Sequence, residues 1–475
     1  MAGHDTSKKS TDFISHKLAA WAAGLNYEHL SEAAIHSAKL YLFDSFGCAL
    51  GGSQQHDVAI MLDYARMLRE GSADGPCTAF GSGFKTDVVM AAFLNALMIR
   101  AMDYNDIYWK ADPSHPSDII PAALSICEMN GLSGKDLILG TVIGHEIEMR
   151  LCEFGDPGVR EYGWHHATLT CIASPIVAGR MLGLSADQIQ QAIGISAAPS
   201  MCLGAVTAGK LTNMKNTVDP MSTRAGVEAA LLAQRGYSGP EHVIDGKEGL
   251  VHCFEKFGGK FHLNMLTDDL PKSQSDHYKI IDCGMKSFPI EALSHAPLTA
   301  MMKIVKEHKL AAADVTEVKV EVIARAADIL GDPAKYRPTS KETADHSLPY
   351  SLAVGLVDGM VTPLQFKQER IDDPGLIPVM DKIKVVPNDE FEALFPKFQP
   401  SRVTITLTDG RSFQQRVDVP KGDPRDPMTE DEIAVKFNAL GAAVVGEAAC
   451  NELRPLIMNI EREQSLDRLF QLMTS

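Results

Sequence analysis

Residues 100–121 concentrate ionisable side chains in one short stretch of the sequence. The apolar segments on either side, 88–99 and 119–126, have the composition of buried helices. Burying a carboxylate or an imidazole costs several kcal/mol unless the group is paired, and active sites are where proteins tolerate that cost. We therefore predict a functional site here; the alternative is a solvated loop whose prolines end one helix and start the next. The ionisable residues are Asp103, Asp106, Lys110, Asp112, His115 and Asp118.

Histidine, lysine and tyrosine residues elsewhere in the chain could supply further groups for proton transfer. Because they come from several segments, a cleft between two domains is the place where a small-molecule site could collect them. Carboxylate, imidazole and amino groups together suit acid–base chemistry on an acidic substrate. The further candidates are His165, His166, Lys215, Lys286, His295, His346 and Tyr350.

The patterns of other catalytic chemistries are absent or incomplete. His145-Glu146 begins a His-Glu-x-x-His zinc motif, but Met149 stands where the second histidine belongs. The nine cysteines contain no Cys-x-x-Cys pair, so we expect neither a disulfide framework nor an iron–sulfur cluster. We predict a site that needs no cofactor and no metal.

Charge and hydropathy restrict the partners of the chain. The net charge of −16 argues against nucleic acid and against an anionic membrane surface, whereas a small anionic substrate needs only a few local cations. No apolar region follows the polar residues 1–12, and we find no apolar run long enough to span a bilayer. We therefore expect no secretory signal and a soluble, cytoplasmic protein.

The length of 475 residues predicts two domains. Apolar residues at helical spacing dominate the first part of the chain, and helices resume after residue 429. Because the last stretch is too apolar to stand alone, we expect it to pack on the first domain. Predicted helices cover 13–25, 31–52, 58–68, 136–151, 169–184, 186–198, 225–236 and 429–438.

The pattern changes to alternation between residues 276 and 420. Strands are predicted at 277–281, 317–322 and 382–386, and the Asp409-Gly410 turn predicts a hairpin of 402–407 with 412–417. Helices are predicted at 295–308 and 348–358. This segment is predicted to be an α+β domain with a mostly antiparallel sheet.

Five blocks of the sequence resemble motifs of the MmgE/PrpD family, in the family's order and over essentially the whole chain. His115 lies twelve positions after Asp103, a spacing similar to that of the family's 2-methylcitrate dehydratases, whereas its decarboxylases have a shorter gap. The blocks are Met102-Asp-Tyr-Asn-Asp with His115-Pro-Ser-Asp, His166-Ala-Thr-Leu-Thr, Lys215 with Asp219 and Arg224, Lys286-Ser-Phe-Pro-Ile-Glu, and Asp345-His-Ser-Leu-Pro-Tyr.

The resemblance implies a mainly α fold: a large all-helical domain built from both chain ends, 1–275 and 421–475, with an inserted α+β lid domain, 276–420. It implies a homodimer that needs no metal and acts on a small polycarboxylate. The implied activity is dehydration of 2-methylcitrate to 2-methyl-cis-aconitate, a lyase reaction of propionate catabolism through the methylcitrate cycle.

The resemblance also implies roles for individual side chains. Asp103 and His115 would transfer protons, in an order left open, and His166 and Tyr350 would orient the substrate or act as acids. The predicted substrate-binding residues are Lys215, Lys286, Asp106 and His165, and His165 could also replace His166 because the alignment can shift by one residue.

Two departures from the family pattern keep alternatives open. Ile107 stands where a threonine is common, and Glu291 replaces a histidine of the decarboxylases. A glutamate would repel an additional carboxylate, which argues against decarboxylation. The alternatives are a cis-aconitate-type decarboxylase, an epimerase of an acidic substrate such as iminodisuccinate, and an inactive homologue that only binds an anion.

Overall fold

The computed structural model describes residues 10–208, 211–395 and 397–474. It confirms the mainly α fold predicted from the sequence. Residues 1–9, which begin the stretch in which we expect no secretory signal, lie outside the described residues.

The α-helices of the described residues fall into three groups along the chain. The first group is α1 Ile14–Gly24, α2 Glu32–Gly52, α3 His56–Leu68, α4 Val88–Arg100, α5 Ile120–Asn130, α6 Gly134–Leu151, α7 Ala167–Met181, α8 Ala186–Ala197, α9 Met214–Gln234, α10 Leu250–Glu255 and α11 Asn264–Thr267. The second is α12 His295–His308, α13 Ala324–Gly331, α14 Lys341–Ala344, α15 Leu348–Asp358, α16 Gln368–Ile371, α17 Ile377–Met380 and α18 Asp389–Glu392. The third is α19 Glu430–Met458 and α20 Asp467–Leu472.

The strands form one four-stranded sheet and several small ones. The small sheets pair β1 with β2, β5 with β6, and the central β3 with β4 on one side and β7 on the other. The strands are β1 Cys77–Thr78, β2 Lys85–Thr86, β3 Asp106–Trp109, β4 Pro113–Ser114, β5 Gly155–Asp156, β6 Lys260–Phe261, β7 Gly284–Met285, β8 Val315–Val322, β9 Ile383–Pro387, β10 Ser401–Leu407 and β11 Ser412–Val417.

The four-stranded sheet lies in the second part of the chain and has the order β11-β10-β8-β9. The hairpin of β10 and β11 is confirmed, with Ile405 opposite Phe413. β10 and β8 are also antiparallel, whereas β8 and β9 are parallel. Burial alternates along β10, so one face of the sheet packs on α12 and α15.

Two separate hydrophobic cores organise the chain. One collects side chains from Ile14 to Met285 and again from Ile433 to Met473. The other is built from residues between Ile290 and Val417. The C-terminal helix α19 therefore packs on the first domain, chiefly on α2. The predicted domain limits at residues 276 and 420 stay a prediction.

Capping residues explain where the helices near the predicted site begin. Asp87 accepts hydrogen bonds from the backbone N–H groups of Val89 and Met90 and so begins α4. Ser133 and Asp136 form a capping box at the start of α6. These two helices carry Arg100 and the His145-Glu-Ile-Glu segment toward the site.

Two secondary-structure predictions were wrong. Residues 277–281 form no strand; a 3-10 helix, Lys279–Asp282, stands there, because Glu146 accepts the backbone N–H of Lys279 from another element. The helix predicted at 225–236 begins earlier, since α9 starts at Met214 and includes Lys215.

The expectation that no apolar run could span a bilayer was also wrong as far as length and composition are concerned. Glu430–Met458 has 29 residues and a mean hydropathy of 1.4 over its most apolar window. Half of that window is buried inside the protein, and Gly446 interrupts the helical backbone with φ 83°. Such burial is what a core helix of a globular protein shows.

Candidate active site

The segment between α4 and α5 is folded into the protein. Asp103, Asp106, Asp112, His115 and Asp118 are all buried, so the alternative of a solvated loop is wrong. β3 and β4 form a short hairpin, and the 3-10 turn Pro116–Ile119 leads into α5. Asp103 adopts a left-handed backbone with φ 51°, which is uncommon for a residue other than glycine and is enriched at functional sites.

The Asp103 carboxylate lies among three cations. Lys286 Nζ donates to its Oδ1 at 2.9 Å, Lys215 Nζ lies 3.3 Å from its Oδ2, and Arg100 donates to Oδ1. Burial alone would raise the pKa of Asp103, but the charges of Lys215, Lys286 and Arg100 hold it well below its usual value. Asp103 is therefore a carboxylate at neutral pH.

Lys215 is the most weakly engaged of these cations. Its Nζ has no hydrogen-bond partner among the described residues; Asp345 Oδ2, 3.9 Å away, is a second and more distant ion-pair partner. Burial lowers the pKa of Lys215 to about 8, against the opposing effect of Asp103 and Asp345. A buried ammonium without hydrogen bonds suits the binding of a carboxylate.

α9 presents Lys215 and Asp219 one helical turn apart. Asp219 Oδ1 lies 3.4 Å from His166 Nε2, and Asp219 Oδ2 lies 4.0 Å from Arg100 Nε. Burial would raise the pKa of Asp219, but His166 and His165 hold it below its usual value. The Asp219 carboxylate therefore lies where it can orient the His166 ring.

His165 and His166 stand side by side with ring centroids 3.9 Å apart, but they make different contacts. His166 faces Asp219, and its ring lies 5.7 Å from the ring of His115. His165 Nδ1 accepts the backbone N–H of Ala167 at the start of α7. The geometry joins His166 to the cluster and gives His165 a positioning contact.

His115 has a defined orientation within the cluster. Its Nδ1 lies 2.6 Å from the backbone carbonyl oxygen of Asp106, and because a carbonyl oxygen only accepts, Nδ1 carries the proton. Burial, together with Arg100 and Lys286, lowers the pKa of His115 well below its usual value. The neutral ring leaves the Nε2 lone pair free to accept a proton.

Asp106 is engaged within the protein. The Ser117 hydroxyl donates to Oδ1 at 2.6 Å, the Ser117 backbone N–H donates to Oδ2 at 2.9 Å, and His145 Nε2 lies 3.3 Å from Oδ2. These contacts hold the turn that carries His115. Asp106 therefore stabilises this loop, and its predicted contact with the substrate stays a prediction.

Tyr350 is not brought to the cluster. It lies on α15 inside the second core, where its hydroxyl donates to the backbone carbonyl oxygen of Gln365 and its ring packs near Phe366. The neighbouring residues of its block do reach the site: Asp345 is the second ion-pair partner of Lys215, and His346 Nδ1 lies 2.6 Å from Asp345 Oδ1. The role predicted for Tyr350 stays a prediction, and the contacts of its hydroxyl lie in the second core.

Several residues of the site escaped the sequence analysis. Arg100 ends an otherwise apolar helix, which was a signal that it is buried and paired. Glu148 Oε1 accepts the hydroxyls of Ser114 and Thr170, which adjoin the segments of His115 and His166. The segment His145-Glu-Ile-Glu148, which the sequence showed only as an incomplete zinc motif, supports the loops that carry the site residues. His145 contacts Asp106, and Glu148 accepts a hydrogen bond from the Ser114 hydroxyl.

A pocket of about 410 Å³ opens at the junction of the two domains and reaches Lys286. We call it the junction pocket. Ile107 and His295 also line it, so the hydroxyl of the family's usual threonine is replaced by an apolar wall. Burial, with the nearby Lys286, lowers the pKa of His295 to about 3. Burial raises the pKa of Glu291 to about 7, although the charge of Lys286 opposes the shift.

Three groups of side chains place possible metal ligands within 4.8 Å of one another. Each group contains atoms that the protein already pairs: Asp106 with Ser117, His166 with Asp219, and Asp345 with His346. Metal independence stays a prediction. The groups are Asp106 with His145 and Cys283, His165 with His166 and Asp219, and Asp103 with Asp345 and His346.

Comparison with known proteins identifies relatives along most of the chain. Residues 16–262 match the model of the MmgE/PrpD N-terminal domain, and residues 288–462 match that of the C-terminal domain. Cis-aconitate decarboxylase of Aspergillus terreus is 24% identical over 99% of this chain and 97% of its own length. The mouse (Mus musculus) enzyme of that name is 25% identical over 94% and 91%. The mitochondrial 2-methylcitrate dehydratase of Yarrowia lipolytica is 25% identical over 86% and 79%.

Proposed function

Because the chain belongs to the MmgE/PrpD family, we propose that it is a cofactor-independent hydro-lyase of a small polycarboxylate, with 2-methylcitrate as the substrate to test first. The observation that carries the proposal is the buried cluster in which Asp103, Lys215 and Lys286 meet beside His115 and His166. This cluster offers cations for carboxylates, a neutral imidazole and a second imidazole that faces a carboxylate. Dehydration of a β-hydroxy acid needs these groups.

Dehydration begins with removal of a proton from the carbon next to a carboxylate. We assign this step to His115, because its Nδ1 is committed to the Asp106 carbonyl and its Nε2 is an acceptor. Asp103 is a weaker base, since three cations stabilise its charged form. Asp103 instead holds Lys215 and Lys286 next to each other, at 3.3 Å and 2.9 Å.

The departing hydroxide must receive a proton. We assign this step to His166, because its Nε2 lies 3.4 Å from the Asp219 carboxylate and its ring lies 5.7 Å from that of His115. Lys215 and Lys286 bind the carboxylates and stabilise the enolate-like charge that forms when the C–H proton leaves. The products are an alkene and one water, with the substrate proton left on His115.

Proton NMR of the enzyme with 2-methylcitrate in deuterated water tests the proposal. We expect the methyl doublet of the substrate to disappear and a methyl singlet to appear, because the double bond of 2-methyl-cis-aconitate carries no proton. His115→Gln and His166→Gln should each lower turnover about a hundredfold or more, because each loses a proton-transfer group. Tyr350→Phe should retain turnover, since the Tyr350 hydroxyl binds Gln365 in the second core. Full turnover by both histidine variants contradicts the assignment.

Decarboxylation of cis-aconitate is the second candidate, because relatives with that name match 94% to 99% of the chain. Incubation with cis-aconitate and measurement of released carbon dioxide distinguishes it from dehydration. Solvent deuterium uptake without alkene or carbon dioxide would favour an epimerase. Stabilisation against heat by these acids without any turnover would favour an anion-binding homologue.

Assembly and location belong to the same proposal. We propose a homodimer in the cytoplasm that has no nucleic-acid or membrane partner. The net charge of −16 supports the absence of a nucleic-acid partner. Light scattering of the purified protein at several concentrations tests the dimer.

A further inference from the structure

The junction pocket carries an excess of positive charge on a chain that is acidic overall. Three of its acidic residues are already paired: Glu153 with Lys279, Asp282 with His277, and Asp423 with Arg425. The cation Lys421 is neutralised likewise, by Asp426 and Glu432. Because these residues are already paired, the remaining lysines of the lining supply the positive charge of the pocket.

Two exposed lysines on the pocket wall make no ion pair among residues 10–208, 211–395 and 397–474. Lys110 lies over the ring of Tyr108, with Nζ 5.6 Å from the centroid. Lys397 lies over the ring of Phe398 at 5.8 Å. Both flank a pocket that ends at Lys286, which is also an Asp103 partner. The pocket therefore has these two surface cations and Lys286, a residue of the buried cluster, along its lining.

From this combination we propose that the junction pocket is the capture subsite for the polycarboxylate, in which Lys110 and Lys397 bind a carboxylate that the buried cluster does not hold. The inference rests on the proposed function. It adds a reason why the protein should bind a substrate with three carboxylates more tightly than one with two. A cavity of about 410 Å³ has room for such a small molecule. Cations at the mouth of a cleft also raise the rate at which an anionic ligand arrives.

Calorimetric titration with propane-1,2,3-tricarboxylate, an unreactive tricarboxylate, tests the subsite without requiring turnover. Lys110→Gln and Lys397→Gln should each weaken its binding about two- to fivefold, and the double variant more, with affinity falling as salt rises. Lys384→Gln is the matched control. Lys384 is an exposed lysine on β9 that pairs with Glu317 on the neighbouring β8, and neither residue lines the pocket.

A dicarboxylate, glutarate, separates the subsite from general charge attraction. The tricarboxylate should lose more affinity than glutarate in the lysine variants, because only it reaches both the cluster and the subsite. In turnover assays the variants should raise KM several-fold and change kcat less than about twofold. Equal binding of the tricarboxylate by wild type and double variant overturns the inference. Lysine-dependent binding without turnover of any candidate acid supports the inference and overturns the proposed function.

Discussion

Asp103, Lys215 and His115 lie in one buried cluster, yet they differ in the charge that they carry at neutral pH. Asp103 is ionised because cations surround it, and His115 is neutral because burial and the same cations disfavour its imidazolium form. Lys215 lies near its titration point, since burial lowers its pKa to about 8. These charges, rather than the residue types, distinguish the proposed base from the groups proposed to bind carboxylates.

The pKa of Lys215 predicts an alkaline limit for substrate binding. Lys215 is a cation below about pH 8 and loses its charge above it, so KM should rise as the pH increases through about 8. KM measured between about pH 6 and about pH 10 checks this, because unperturbed lysines stay charged over most of that range. Lys215→Met should show a high KM throughout, without the rise. A wild-type KM that is constant through pH 8 would contradict the role of Lys215.

The pKa of Glu148 predicts a pH dependence of stability. Burial raises it from 4.5 to about 8, so the folded state retains a proton that the unfolded state loses. This stabilising contribution is complete below about pH 4.5 and is lost as the pH rises through about 8. Glu148→Gln resembles the protonated form, and its melting temperature should fall less between about pH 6 and about pH 9 than that of wild type. Parallel melting curves across this range would show that Glu148 is ionised in the folded protein.

At the scale of elements, close helix packing places the catalytic turn. α2 and α4 contact each other where Gly52 ends α2, and α4 leads directly to Arg100 and Asp103. A Cβ atom on Gly52 would lie 1.8 Å from the backbone carbonyl oxygen of Met98. Because the obstructing atom belongs to a helix backbone, only displacement of α4 could relieve the clash.

Gly52→Ala should therefore destabilise the protein by about 1–3 kcal/mol or more and lower activity by displacing Arg100. Gly24→Ala is the matched control, since Gly24 also ends a helix and a Cβ there meets nothing within 4 Å. Urea unfolding followed by circular dichroism measures the difference. Equal stability of the two variants would mean that α2 and α4 do not pack this closely.

At the scale of the whole molecule, one lysine joins the C-terminal helix to the catalytic segments. Lys436 on α19 donates to the backbone carbonyl oxygens of Tyr104 and Lys286 at 2.6 Å and 3.0 Å, and pairs with Asp44 of α2 at 2.6 Å. Both ends of the chain thus hold the loop of Asp103 against the segment of Lys286. The C-terminal helix α19 therefore helps to hold the site together.

Lys436→Met should destabilise the protein strongly, by about 3–5 kcal/mol, because it leaves the Asp44 carboxylate buried without its cation. Burial already raises the pKa of Asp44 to about 6 despite Lys436, so loss of the lysine should make the variant relatively more stable at acidic pH. Lys384→Met, at an exposed pair with Glu317, should change stability little. Thermal melts at two pH values check both expectations, and a Lys436→Met variant as stable as wild type would contradict them.

The sequence by itself determined the elements whose pattern is local. The helices His295–His308 and Leu348–Asp358 have the bounds that periodicity predicted, and so does most of the β10–β11 hairpin. Helical and strand periodicities depend on neighbours along the chain, so they can be read without the fold. Conversely, residues 277–281 were wrongly predicted, because their conformation depends on a contact with Glu146, more than a hundred positions earlier.

Only the tertiary structure decided which groups the site residues contact. Asp103 meets Lys286 183 positions later, and Asp106 and Tyr350 turn out to bind Ser117 and Gln365. Motif order pointed to the correct segments, but it could not tell which member of each segment faces the cluster. The reason is physical: a proton affinity or an ion pair depends on the charges within a few ångströms and on exclusion from water, and folding alone brings these together.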